Sequence, residues 1–154
     1  MNMQPLEFSH YSDPLDLLRR FIPTPMKATY RLDGARLGVE TNDCALLPEL
    51  PLDADITATC ALEWKLIRDA DSPGLLEPPM FLTSATLTVV AMGTACLLAL
   101  DHETRKLFAF IGTDIDALAF REYLVPFLCR MTKDALSGDP IGCFVSWNYD
   151  SAHV

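Results

Sequence analysis

Three apolar segments in the middle of the chain give its clearest pattern. They cover residues 87–92, 95–100 and 106–111, and they are separated by Gly93-Thr94 and by the polar run 101–105. Short runs rich in Val, Leu, Thr and Phe that end at glycine or at charged turn residues are typical of strands. A helix would need polar residues at every third or fourth position, whereas residues 87–100 include no charged side chain. The pattern therefore predicts a β-meander at the centre of a sheet.

Upstream of the meander, apolar and polar residues alternate in two segments, as they do in strands with one buried face. In the first, Ala28, Tyr30 and Leu32 precede the turn signal Asp33-Gly34, and Leu37 and Val39 follow it, which predicts a hairpin. The second runs from Asp55 to Ile67, and its apolar positions are Ile56, Ala58, Cys60, Leu62, Trp64 and Leu66. The alternation of Ile141, Cys143, Val145 and Trp147 predicts one more strand near the C-terminus.

Two helices are predicted, one on each side of the strands. Ser12-Asp13-Pro14 is typical of a helix start, and Leu15, Leu18 and Ile22 give the short helix over 14–21 one apolar side. A long helix is predicted over 114–136, because its apolar residues form a stripe at helical spacing: Ala117, Phe120, Leu124, Phe127, Leu128, Met131 and Ala135. Pro126 should kink this helix, and Ser137-Gly138 should end it.

The order of these elements predicts one α+β domain over residues 1–154. We expect a single antiparallel sheet of six or seven strands, arranged like a meander, with the short N-terminal helix and the long C-terminal helix on one face. Half of the 154 residues are hydrophobic and 21% are charged, a composition typical of globular proteins. Residues 81–100 contain four Thr, a Ser and a Gly, which favours strands over a membrane helix. No secretory signal is visible in the first residues, so a cytoplasmic location without a membrane partner is expected.

The residues that usually carry chemistry are scattered. Five cysteines form no C-x-x-C pair, which favours reduced core cysteines in a cytosolic protein over disulfides or a zinc site: Cys44, Cys60, Cys96, Cys129 and Cys143. Of the histidines, His10 and His153 lie near the termini, and His102 falls in a predicted turn. Neither a nucleophile motif nor a phosphate-binding loop is present. The sequence therefore predicts no catalytic residue, no metal site and no cofactor.

The distribution of charges along the chain is more informative than the net charge. Between Leu37 and Glu103 lie eleven acidic residues and two basic ones, so this stretch carries the whole net charge of −9. Nucleic acid demands a basic surface, which excludes it as a partner. A basic protein partner is compatible, since complementary fields steer association. We expect a partner-binding surface that includes Glu40, Asp43, Glu49, Asp53 and Asp55.

The predicted hairpin around residue 103 and the helix after it resemble the SUKH superfamily of α+β domains, mainly over residues 82–130. The matching residues are Leu98-Ala99-Leu100-Asp101, Glu103-Thr104, Lys106-Leu107 and the helical stretch 120–128. Arg105 stands where the family usually has glycine, and Thr113-Asp114 stands where Asn-Ser often opens the last helix. The superfamily includes bacterial immunity proteins. The resemblance therefore implies a cytosolic protein that occludes a toxin, often a basic nuclease, without catalysis.

Two other functions are compatible with the sequence. A small acidic chaperone or adaptor for a secreted protein would have the same size and charge; it would use an apolar groove and form a homodimer. A small-molecule-binding or hydrolytic α+β enzyme would need a pocket that joins His102 or a cysteine to acidic residues.

Overall fold

The computed structural model describes residues 22–54, 58–69 and 73–138. Seven strands form one open sheet in the order β1-β2-β3-β7-β6-β5-β4. The strands are β1 (Met26–Leu32), β2 (Ala35–Thr41), β3 (Leu62–Asp69), β4 (Met80–Thr83), β5 (Leu87–Met92), β6 (Cys96–Asp101) and β7 (Lys106–Gly112). A helical region follows, with α1 (Ala117–Ala119), a π-helical turn (Phe120–Leu124) and α2 (Val125–Ser137). The α+β class and the packing of the C-terminal helix on one face of the sheet are confirmed.

The sheet is mixed, so the expectation of a purely antiparallel sheet is wrong. β3 lies between β2 and β7 and is parallel to both, whereas every other pairing is antiparallel. The reason is that β3 has no hairpin to either neighbour. The connection after β2 crosses over before β3 begins, and the chain after β3 travels to the far edge to start β4. From there the β4–β7 meander returns to the centre.

The predicted strand from Asp55 to Ile67 is shorter than expected. It begins at Leu62, which lies opposite Leu37 in the parallel register with β2. Continuing this register backwards, Ala61 and Cys60 would face Arg36 and Ala35 at the start of β2, and Thr59 would already face the Asp33-Gly34 turn, where no ladder is available. The amide of Ala61 therefore makes a last hydrogen bond to the carbonyl of Arg36, 2.8 Å away, and the pairing stops there.

The locally paired strands agree with the sequence pattern. Asp33 and Gly34 both have positive φ, 49° and 80°, as a two-residue hairpin turn of type I′ requires. β5, β6 and β7 match the three predicted segments to within one residue at each end. β4 was not predicted, because it is only four residues long and directly follows Pro78-Pro79.

The C-terminal helical region begins later than predicted and ends as predicted. Asp116 caps it by accepting a hydrogen bond from the amide of Ala119 at 2.8 Å, so the helix starts at Ala117 and not at 114. The π-helical turn ends two residues before Pro126, whose missing N–H disturbs the regular ladder. Gly138 adopts a left-handed conformation at the C-terminal cap.

The main core lies between the sheet and the helix, on what we call the front face. Trp64 of β3 is its largest fully buried side chain, and its indole N–H donates to Thr132 of α2 at 2.9 Å. Phe120, Leu124 and Leu128 pack against the same cluster. The predicted helix over 14–21 and the predicted strand over 141–147 lie outside the described residues.

Candidate binding surface

The structure separates the acidic residues that the sequence grouped together. Asp43 and Glu49 lie in the connection that follows β2, where the parallel strands have their carboxyl ends. Glu40 lies within β2, and Asp53 lies beside β1 near the hairpin turn. Asp55 is outside the described residues. Of the four described acids, Asp43 and Glu49 thus lie in the loops at the carboxyl ends of the parallel strands, whereas Glu40 lies within a strand and Asp53 beside one.

Glu40 belongs to a ladder of charges on the back face of the sheet, the face opposite the helix. Lys27, Glu40 and Lys65 are direct neighbours across β1, β2 and β3, and the carboxylate lies 3.8 and 3.9 Å from the two ammonium groups. Two shallow depressions of about 210 and 150 Å³ flank this ladder, and Glu40 and Glu63 line both. Two cations thus compensate the negative charge of Glu40, which weakens its electrostatic attraction for a basic partner.

Asp53 is compensated in a similar way. Its carboxylate is largely buried and lies 2.8 Å from the Arg36 guanidinium and 3.3 Å from that of Arg31. The backbone around it pairs with β1: the amide of Asp53 donates to Thr29, and the amide of Arg31 donates to Pro51. Asp53 therefore holds a segment along the β1 edge, which is a structural role.

Arg68 ties together the loops at the carboxyl ends of β2, β3 and β7. Its guanidinium lies 2.9 Å from the Asp43 carboxylate and donates to the carbonyls of Gly112 and Ile115 at 2.7 and 2.5 Å. The side-chain amide of Asn42 completes the junction by bonding the backbone of Arg68. Only 17% of the Arg68 side chain is exposed. The positive charge of Arg68 is therefore engaged by groups of the protein itself.

The same end of the molecule exposes apolar and acidic side chains next to each other. The amide of Gly74 donates to the Asp114 carboxylate at 2.7 Å, and the Thr94 hydroxyl donates to the carbonyl of Pro73, so three loops are joined. Leu75 and Leu118 project from these loops and from α1 and are 70% and 61% exposed. We call the following set the loop-end surface: Asp43, Glu49, Leu75, Glu77, Asp114, Asp116 and Leu118.

Three acids of the loop-end surface have no cation beside them among the described residues. Within the part of the chain that the structure describes, Glu77, Asp114 and Asp116 form no ion pair. Glu49 pairs with Arg121 at 3.2 Å, but its side chain is 76% exposed, so this pair contributes little. Sequence reasoning missed Leu75, Glu77 and Leu118 as surface residues. Leu118 lies outside the apolar stripe predicted for the helix, and this is the signal that could have found it, whereas no pattern distinguishes the exposed Leu75 from the buried Leu76 beside it.

The Asp43 carboxylate gives one measurable consequence of this geometry. A hydrogen bond from the Ala45 amide, aided by Arg68 and opposed by burial, lowers the pKa of Asp43 below its usual value. A lowered folded-state pKa adds stability above the unfolded-state pKa of about 3.9, and this stability is lost as pH falls through the folded-state value.

We therefore expect Asp43→Asn, which keeps a capping oxygen, to be less stable than the parent protein at pH 7, and we expect the difference to shrink as pH falls below about 3.9. Urea unfolding of both proteins at several pH values measures the difference. A difference that stayed constant down to pH 3 would contradict this assignment.

Three of the described cysteines are poor candidates for a nucleophile. Burial raises the pKa of Cys96 to about 12 and that of Cys129 to about 11, and burial followed by the nearby Glu63 raises the pKa of Cys60. These thiols are protonated at neutral pH and therefore poor nucleophiles. The His102 ring nitrogen Nε2 lies 2.8 Å from the Thr88 hydroxyl, which anchors the ring to β5. Neither back-face depression is lined by His102 or by a cysteine.

The described ranges contain neither a cluster of metal ligands nor a membrane-spanning helix. Among residues 22–54, 58–69 and 73–138, no three His, Cys, Asp or Glu side chains are grouped closely enough to hold a metal ion. Over the same ranges, no helix has the length and apolar character needed to cross a membrane. Comparison of the chain with protein-family models, with curated proteins and with solved structures finds no match in any of the three.

Proposed function

We propose that the chain is a non-enzymatic protein-binding domain that occludes a basic toxin domain through the loop-end surface. The observation that carries this proposal is that exposed leucines lie next to acids which, within the described part of the chain, form no ion pair. Apolar residues surrounded by charged ones are the usual composition of a protein-binding patch, in which the apolar part supplies affinity and the charges steer the encounter. The net charge of −9 adds a long-range field of the same sign.

The resemblance to the SUKH immunity proteins supports the same function. In the turn between β6 and β7, Arg105 has a φ of 54°, a left-handed conformation that glycine adopts more readily. This is the position at which the family usually has glycine. The Asp101 carboxylate accepts hydrogen bonds from the amides of Glu103 and Thr104, so the turn is held as an Asx-type turn.

Protection of cells tests the function itself. The neighbouring open reading frame, which this proposal requires to encode a toxin domain, would be expressed with and without this chain, and growth would be measured. We expect the chain to restore growth and to form a stoichiometric complex with the toxin domain. A chain that neither protects the cells nor binds the toxin domain would overturn the proposal.

Charge reversal then tests the surface. We expect Glu49→Lys/Glu77→Lys to slow association with the basic toxin domain by about 10- to 100-fold at low salt and to reduce its salt dependence. The control is Glu63→Lys/Glu103→Lys, which makes the same change in charge on strand β3 and in the β6–β7 turn. Surface plasmon resonance at several salt concentrations measures both. Equal slowing by the control pair would assign the effect to net charge and not to the loop-end surface.

A small adaptor for a secreted protein is a second candidate, and β4 is the observation that favours it. β4 is an edge strand, and its Met80 and Leu82 side chains are 75% and 74% exposed. Unpaired backbone beside apolar side chains can accept an extended segment of another protein by strand addition. Such adaptors would act as homodimers, so a strictly monomeric mass in light scattering counts against this candidate.

A further inference from the structure

The two edges of the sheet differ in the described part of the chain. Along the β1 edge, two backbone hydrogen bonds of 2.8 Å hold the segment 51–53 beside the strand. β4 forms the opposite edge, and no described strand pairs with its outer side. The Met80 and Leu82 side chains of β4 are 75% and 74% exposed. An open edge beside exposed apolar side chains is a site at which another strand can pair.

The pairing of β4 with β5 fixes which of its backbone groups face the open edge. The amide of Ser84 donates to the carbonyl of Leu87 at 2.8 Å, so these residues form a hydrogen-bonded pair beside the turn. In an antiparallel ladder such pairs alternate with pairs that are not hydrogen-bonded. Leu82 therefore directs its amide and carbonyl to β5. The amides and carbonyls of Phe81 and Thr83 point the other way, to the open edge.

We propose that β4 pairs in antiparallel orientation with β4 of a second copy of the chain, about a two-fold axis that passes beside Leu82. Phe81 of each copy then lies opposite Thr83 of the other, which gives two hydrogen-bonded pairs. The Leu82 side chains, which alternate with the helix-facing Phe81, meet across the axis on the back face. An axis beside Phe81 would instead place Thr83 opposite Pro79, which has no N–H to donate. The axis beside Leu82 therefore satisfies more of the outward-facing backbone groups.

The charge and the symmetry of this edge favour a second copy over an unrelated partner. β4, β5 and β6 contain no charged side chain except Asp101 at the end of β6. Two molecules that each carry −9 can therefore approach along β4 without bringing acids of these strands together. The pairing is self-complementary, and the β1 edge is already covered by the segment 51–53. The assembly therefore closes as a dimer and does not continue as a filament.

The dimer does not rest on the proposed toxin-binding function, and it uses other residues. It competes with the adaptor function, because a second copy and an extended segment of another protein cannot both pair with β4. The contact is small, so we expect a dimer that dissociates on dilution. Salt should strengthen it, because screening weakens the repulsion between two molecules of charge −9. Binding of a basic toxin domain is expected to weaken with salt, so the two associations can be told apart.

Disulfide formation tests the register of this pairing. The full-length chain with Cys44→Ser, which removes an exposed native thiol, is the background. In it we expect Leu82→Cys to give a covalent dimer on mild oxidation, because a Cα separation of about 4.5 Å across the axis suits a disulfide. Met80→Cys is the matched control, since it is equally exposed on the same strand but its two copies lie about 13 Å apart along the strands. Equal crosslinking of the two variants, or none in Leu82→Cys, would overturn the proposal.

The mass in solution tests the dimer itself. We expect sedimentation equilibrium of the full-length chain to show monomer and dimer, with a dissociation constant that falls as salt is added. Leu82→Lys should raise this constant by roughly 100-fold, because two leucine side chains lose their burial and two ammonium groups meet at the axis. Leu118→Lys makes the same change at an exposed leucine of α1 and should alter the constant little. A monomeric mass at every concentration, or equal effects of the two substitutions, would overturn the proposal.

Discussion

Replacing Trp64 by alanine is expected to lower the free energy of unfolding by about 3–5 kcal/mol, the usual cost of removing a large aromatic side chain from a core. Trp64 is fully buried in the central strand, and its indole bonds the helix at a position 68 residues away in sequence. The substitution therefore removes both packing and the polar link between sheet and helix. Urea denaturation followed by circular dichroism measures the effect.

The partner residue separates these two contributions. Thr132→Val keeps the volume of the side chain but leaves the buried indole N–H without an acceptor, and we expect a loss of about 1–3 kcal/mol. Thr132→Ser keeps the hydroxyl, which also donates to the carbonyl of Leu128, and should be closer to the parent protein. If Thr132→Val were as stable as Thr132→Ser, the hydrogen bond would have no net value and packing alone would explain the Trp64 result.

Replacing Arg68 by alanine is expected to cost about 2–4 kcal/mol, although its side chain reaches the surface. The substitution leaves the carbonyls of Gly112 and Ile115 without their hydrogen-bond donor and the Asp43 carboxylate without its cation. Because these groups lie in separate loops, hydrogen exchange should accelerate first in 42–47 and 112–116. Both stability and exchange can be measured on the same samples.

Arg68→Lys is the informative control. Lysine keeps the charge but has a single donor group in place of the planar fork, so it can serve Asp43 or the carbonyls but not all three. We expect an intermediate loss and partial protection of the loops. A lysine variant as stable as the parent protein would show that charge alone matters at this junction.

The extent to which sequence predicted the fold depends on how local the pairing is. The β1–β2 hairpin and the β5–β7 meander follow from alternation and turn residues within a few positions, and both predictions are confirmed. The insertion of β3 between β2 and β7 could not be predicted in this way, because its two ladders join distant residues such as Leu37 with Leu62 and Glu63 with Lys106.

Prediction of the binding surface from sequence is limited in the same way, here for the electrostatics. A count of charges along the chain finds the acidic stretch, but it cannot show which acids are compensated by cations. Glu40 lies beside Lys65, and Asp53 lies beside Arg36, only because strands and loops meet in the folded chain. Leu75 would be assigned to the core from its type, as the adjacent and buried Leu76 is, and only the folded loop exposes it.

The position of β3 also has a consequence for the order of folding. The β1–β2 hairpin and the β4–β7 meander each contain only local contacts and can form early, whereas β3 must close two long loops to join them. We expect substitutions in β3, such as Leu66→Ala, to act mainly on the rate of unfolding, and those in β6 to act more on the rate of folding. The central strand β3 would then be the last strand to join the sheet. On unfolding, its parallel pairings with β2 and β7 would be the first to break.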